Sequence, residues 1–243
     1  MKETYYAGAY WACRKESAEQ SARRAEVFFQ HLSQCDPTYI RWFEQSSSLK
    51  KALQLQFEPS FETFMRFFKK KAYQNGPDGF SFSAWTGHEE DGHGGMMSLT
   101  CGSCSNFYSN VCLLHLPSEN PEMERVLSPS VLVEVIRALV LAWEPDWCVV
   151  TSPDLRDVLS EDGGAGTFVG WLTYFSRQRM GELPPLPESA RIISVEDKGT
   201  LILLGPERLT VSNPEHLALA RSVQDVLHTK GLLEPVVSGL PET

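Results

Sequence analysis

The chain has 243 residues, 31 of them acidic against 22 basic, for a formal charge of −9. That length suits one large domain with a substantial core, and the acidic balance argues against a nucleic-acid binder or a protein drawn to anionic membranes, favouring a basic partner instead. The opening MKETYYAGAYWAC lacks the apolar run of a signal peptide, and the longest apolar stretch, VLVEVIRALVLAW, is broken by Glu134 and Arg137, so a cytoplasmic protein without a membrane span is expected.

In chain order, the strand candidate TYYAGAYWAC comes first. Ser17 and Gln20 then form a capping box ahead of a helix whose Ala18, Ala22, Ala25, Phe29 and Leu32 recur at helical spacing. After the strand candidate YIRWFE, Ser60 caps a second helix with an apolar stripe of Phe61, Phe64, Met65, Phe68 and Ala72, expected to end at Asn75-Gly76. Three strand candidates follow, GFSFSAW, MMSLTC and NVCLLHL. A third helix opens with Pro129 in its first turn and carries Leu132, Val135, Ile136, Leu139, Val140 and Trp143. The strands CVVTS, FVGWLTYFS, ARIISV and TLILLG come next, the last two joined by the hairpin turn in SVEDKGTL. A fourth helix runs from Asn213-Pro214 to Lys230-Gly231, and the tail over 235–243 is expected to fray. The order implies a single α+β domain over 1–243, a large, mostly antiparallel twisted sheet with about four helices.

Chemistry-bearing residues cluster most densely in TGHEEDGHGG, residues 86–95, followed by CGSC. His88, His93, Cys101 and Cys104 are residue types that zinc accepts, and they would be the centre of a metal-dependent hydrolase. The spacing opposes this, since the histidines are five apart across Gly92 and cannot share a helix face. A glycine-rich hairpin loop with its carboxylates in water fits better, so no metal, cofactor or catalytic residue is assigned. In EDGGAGTFVG a strand follows the glycines, not a helix, so a phosphate would find no helix dipole there. All six cysteines, Cys13, Cys35, Cys101, Cys104, Cys112 and Cys148, are expected to be reduced. The six tryptophans are expected in the core, with one or two free to anchor an interface.

Several segments together resemble the Immunity protein 52 family of polymorphic-toxin immunity proteins. They are YAGAYWACRKESAEQSARR, with Gly8, Trp11, Arg14 and Glu16; DPTYIRWFEQ, with Trp42; and FSFSAWTGHEEDGHGG, with Trp85 and Gly87. VLVEVIRALVLAWEPDWCVVTSPDLRD, GTFVGWLTYFS with Trp171, and the segment from LPPLPESARIISV to HTKGLL complete the likeness, which spans nearly the whole chain. The resemblance implies an antitoxin that binds a cognate toxin, often a restriction-endonuclease-like nuclease delivered by type VI secretion, and so protects the producer and its siblings. Such a protein needs no enzyme activity, contact with nucleic acid or membrane. A monomer is favoured over a homodimer, and an adaptor of a secretion system is the other non-enzymatic reading. A nuclease has a basic groove with metal-holding carboxylates, so an acidic inhibitor gains from electrostatic steering. Glu89, Glu90 and Asp91 in one loop and Glu161 and Asp162 in another are the expected toxin contacts.

Overall fold

Alternation along strand β1 (Tyr6–Trp11) sets the layout of the molecule, because successive side chains of a strand point to opposite faces. Ala7, Ala9 and Trp11 face one layer of helices, and the Trp11 ring stacks on Trp143 at 5.5 Å. The computed structural model describes residues 2–76, 79–105 and 107–237. After β1 come α1 (Ala18–Cys35), β2 (Trp42–Glu44), α2 (Leu49–Ala52), β3 (Gln56–Phe57), α3 (Phe61–Lys69), β4 (Gln74–Asn75), β5 (Gly79–Trp85), β6 (Met96–Cys101) and β7 (Asn110–His115). The second half holds α4 (Glu122–Val126), α5 (Pro129–Trp143), β8 (Trp147–Thr151), α6 (Pro153–Leu159), β9 (Leu172–Ser176), β10 (Arg191–Val195), β11 (Gly199–Leu203) and α7 (Pro214–Thr229).

The strands form one antiparallel sheet in the order β10-β11-β9-β8-β1-β7-β6-β5-β2-β3, with β4 beside β5. This is the α+β single domain read from the sequence, with three short helices, α2, α4 and α6, beyond the four expected. The Ser17–Gln20 capping box is present in both directions. The hairpin between β10 and β11 also forms, with Glu196 at φ 48°. The second helix is shorter than expected. Its apolar stripe is spent at Phe68, Ala72 is exposed, and Gln74–Asn75 pairs with the start of β5 instead of extending the helix.

One sheet face is covered by α1, α3 and α5. Phe28 meets Trp143, Phe29 meets Trp42 at 4.9 Å, and Phe57, Phe64 and Phe67 surround Phe82. Each such aromatic removes about 150–250 Å² from water. Trp11, Trp42, Trp143, Trp147 and Trp171 are all buried, while Trp85 is only half-buried.

The second face is covered over β1, β8 and β9. Trp147 packs between Tyr10 and Phe168, and Gln224 of α7 ties Val169 and Leu159 to that helix. Gly8 faces this side beneath the Tyr10 ring, where a Cβ would come within 2.7 Å of it. Over β7, β6 and β5 the second-face residues fall in three cross-strand rows. These are His115–Met96–Trp85, Leu113–Ser98–Ser83 and Val111–Thr100–Ser81, and all nine are exposed or half-buried.

Residues 238–243 of the tail lie outside the described part of the chain. The expected fraying does not begin at 235: Val236 is buried, and its N–H donates to Ala165 O at 2.8 Å.

Candidate functional site

The loop 86–95 between β5 and β6 is closed at its neck by Thr86. Its N–H donates to Gly95 O at 3.0 Å, and its Oγ1 accepts from Gly95 N at 2.9 Å. Gly87, at φ 80°, lies against the Phe43 ring, where a Cβ would come within 2.3 Å, so no side chain fits there. Further out, Gly92 O accepts from the N–H groups of Ser118 and Glu119 at 2.7 and 3.0 Å. His93 Nδ1 lies 2.9 Å from Glu122 Oε2, and its Nε2 lies 3.5 Å from Glu90 Oε2. The hydrogen bond with His93 holds the Glu122 carboxyl below the usual carboxylate range. These ties fix a loop whose tip exposes Glu89, Glu90 and Asp91, with the Glu90 side chain 85% accessible. Facing the loop across a groove of about 630 Å³ is the segment from Gln45 to Ala52, and Trp85, Leu49 and Met96 give the groove an apolar component.

The metal alternative does not assemble. Cys101 is buried in the core, where desolvation pushes its thiol up to about 12, and His93 is engaged with two glutamates. Cys104 is bonded to Cys13, with their Cα atoms 4.0 Å apart. No group of three or more His, Cys, Asp or Glu residues gathers as a metal site among the described residues.

The same bond corrects the expectation that all six cysteines are reduced. β1 and β6 flank β7, so the segments that leave their ends lie close together, and Asn110 at the start of β7 gathers both. Its Nδ2 donates to Ala12 O and Ser103 O, each at 2.9 Å, and its Oδ1 accepts from Ser103 N at 3.0 Å. Cys35, Cys101, Cys112 and Cys148 remain thiols.

Glu161 and Asp162 are exposed in a second loop, which follows α6. Ser160 Oγ accepts from Gly163 N at 3.1 Å and lies 3.0 Å from Thr167 Oγ1, while Gly163 and Gly166 take positive φ. The two acidic loops leave parts of the sheet separated by β1 and β7, so the structure does not bring the five carboxylates together.

Arg14 and Glu16 belong to a charged cluster at the end of α5. Arg14 donates to Trp143 O at 2.6 Å and Arg24 donates to Ala142 O at 2.8 Å, placing two cations on the negative end of the helix dipole. Glu16 lies between them, 3.1 Å from Arg14 Nε and 2.6 Å from Arg24 Nε. Burial lowers the Arg14 pKa, and Glu16 opposes that shift. Glu144, with φ 44°, ends the helix and pairs with Arg24 and Lys198. A cleft of about 770 Å³ opens beside this cluster, but Arg14, Glu144 and Lys198 in its wall are spent on one another's neighbours and on the helix end. Arg24 and Glu144 are 120 residues apart and Lys198 is 54 from Glu144, so spacing alone did not reveal them.

Among known proteins, the family model described as Immunity protein 52 matches residues 3–236. No curated protein sequence matches the chain. Among solved structures, the Pseudomonas aeruginosa T6SS protein PA0821 is similar with a TM-score of 0.57 at 14% identity, over 99% of this chain and 76% of that one. At that identity the likeness is one of fold.

Proposed function

Because the chain belongs to the Immunity protein 52 family, we propose that it is a non-enzymatic immunity protein that binds a cognate toxin of a type VI secretion system and blocks it. The family match carries this reading. The similar fold of a protein described as belonging to a type VI system supports the secretion context, and the braced loop carrying Glu89, Glu90 and Asp91 supports electrostatic capture of a basic toxin surface. Glu161 and Asp162 are a second, separate candidate contact. A restriction-endonuclease-like nuclease is the toxin class we favour, since an acidic inhibitor suits a basic groove.

The Cys13–Cys104 bond links the toxin's identity to a compartment. Disulfides persist in oxidising compartments and are held as thiols in the cytoplasm. A nuclease target places protection in the cytoplasm with this pair reduced, whereas a toxin acting in the periplasm leaves it bonded. Thiol trapping in intact cells separates the two.

The test is co-expression with the toxin encoded by the adjacent reading frame. Protected growth supports the reading, and undiminished killing refutes it. A secretion-system adaptor would instead be recovered with a secretion component and give no protection.

A further inference from the structure

The three cross-strand rows on the second face of β5, β6 and β7 hold no Lys, Arg, Asp or Glu. An antiparallel sheet with one face in water ordinarily carries polar and charged side chains on that face. Here the open side presents serines and a threonine beside Val111, Leu113, Met96 and Trp85. The one titratable side chain among the nine is His115, whose pKa desolvation lowers. Loss of charge at the centre with polarity at the rim is the composition that marks protein interfaces.

Both ends of this patch carry features that suit the same use. At the Trp85–Met96 end stands the acidic loop with Glu89, Glu90 and Asp91, next to the apolar part of the groove. At the opposite end, the segment from β6 to β7 exposes Phe107 and Tyr108 to 63% and 60%. Large aromatics at such exposure are the residue types that anchor complexes. The base of that segment is preorganised by Asn110 and by the N–H of Arg14, which donates to Ser103 O at 3.2 Å, and is tied further wherever Cys13 and Cys104 are bonded. An anchor held in place before binding loses less entropy on docking.

We propose that the open face of β5–β7, flanked by the acidic loop at one end and by Phe107 and Tyr108 at the other, is the surface on which the toxin docks. This rests on the immunity reading above and names where that reading acts. Three strands at about 4.8 Å spacing and six residues at about 3.3 Å rise give a patch of roughly 280 Å². A stable complex needs roughly 800 Å² from each partner, so both end loops belong to the interface. The matching partner surface is uncharged at its centre, carries Lys or Arg opposite Glu89–Asp91, and offers apolar recesses to the two aromatics. A second copy of this chain suits the surface poorly, because each copy brings a charge of −9.

The test uses the full chain and the purified, catalytically inactivated product of the adjacent toxin reading frame. Ser98→Arg and Ser81→Arg place a charge on the face at a half-buried and an exposed strand position, and F107A/Y108A removes the anchors without touching the sheet. Each is compared with E182K/E188K, two exposed positions between β9 and β10, and circular dichroism confirms the fold of every variant. The expected result is affinity weakened about 100-fold by the face and anchor variants and by less than about 3-fold in the E182K/E188K control, with hydrogen exchange slowed across β5–β7 in the wild-type complex. Unchanged affinity in the face and anchor variants, or protection confined to 160–167 or to β10, overturns the assignment while leaving the immunity reading intact. A dimer that Ser98→Arg dissociates without loss of toxin binding assigns the face to a second copy, which also overturns it. If the wild-type chain does not bind the toxin at all, the immunity reading itself fails and the docking surface with it.

Discussion

His93 Nδ1 lies 2.9 Å from Glu122 Oε2, which fastens the acidic loop 86–95 to the first turn of α4. The histidine that looked like a metal ligand in the sequence is a brace, and the carboxylates beside it are the part of the loop that reaches solvent. His93→Ala should therefore free the loop without disturbing the sheet. Amide exchange over 88–93 is expected to accelerate, while β5 and β6 keep their protection and the free energy of unfolding falls by no more than about 1 kcal/mol. Equal acceleration across β5 and β6 would show that the loop and sheet open together.

Reversing Glu89, Glu90 and Asp91 to lysine should slow association with the toxin by about 10-fold or more and flatten its dependence on ionic strength. Stopped-flow mixing across a range of salt concentrations measures both. An unchanged association rate places the loop outside the encounter surface.

Asp36 gives a pH-dependent term. Burial alone would raise its pKa, but hydrogen bonds from Arg125 and from Thr38 N and Oγ outweigh that and leave it lowered. A depressed folded-state pKa adds stability that is fully present above the unfolded carboxylate value, about 4, and is lost as pH falls through the lower folded value. Asp36→Asn is expected to cost about 1–3 kcal/mol at pH 7 and less as pH drops below about 4. Denaturant unfolding of both proteins across that window is the check, and a cost that grows with acidity would reverse the sign.

Reduction of the Cys13–Cys104 bond should destabilise the chain. The bond closes a loop across 91 residues, for which the chain-entropy treatment gives an upper figure of about 4–5 kcal/mol. Because Asn110 holds both segments by hydrogen bonds, the folded state should survive reduction with its sheet intact. A lower denaturant midpoint in reductant, with an unchanged far-ultraviolet spectrum, is expected. Identical midpoints with and without reductant would remove the bond from the account of stability.

What the sequence made legible followed from local rules. Ser17–Gln20, Pro129 and Asn213-Pro214 mark helix starts by capping and by the tolerance of the first turn for proline, and helices begin there. The nine strand candidates were visible as runs of branched and aromatic residues, and each overlaps a strand of the sheet, while the two-residue strands β3 and β4 were too short to show. Four-to-seven-residue helices such as α2, α4 and α6 have too few turns to show a period. Contacts between distant segments were equally hidden. Cys13 meets Cys104 only because β1 and β6 flank the same strand, and Arg24 reaches the end of α5 only after α1 packs on it. Within the candidate site, the acidic tip could be read from composition, but the brace from Glu122 and the open charge-free face depend on register between strands.

Titration of the purified chain against the inactivated toxin from the adjacent reading frame, followed by calorimetry, tests the central claim most directly. The account expects a saturable complex of fixed stoichiometry that tightens as salt is lowered. The absence of measurable heat or complex at micromolar concentrations, with both proteins folded, would contradict it.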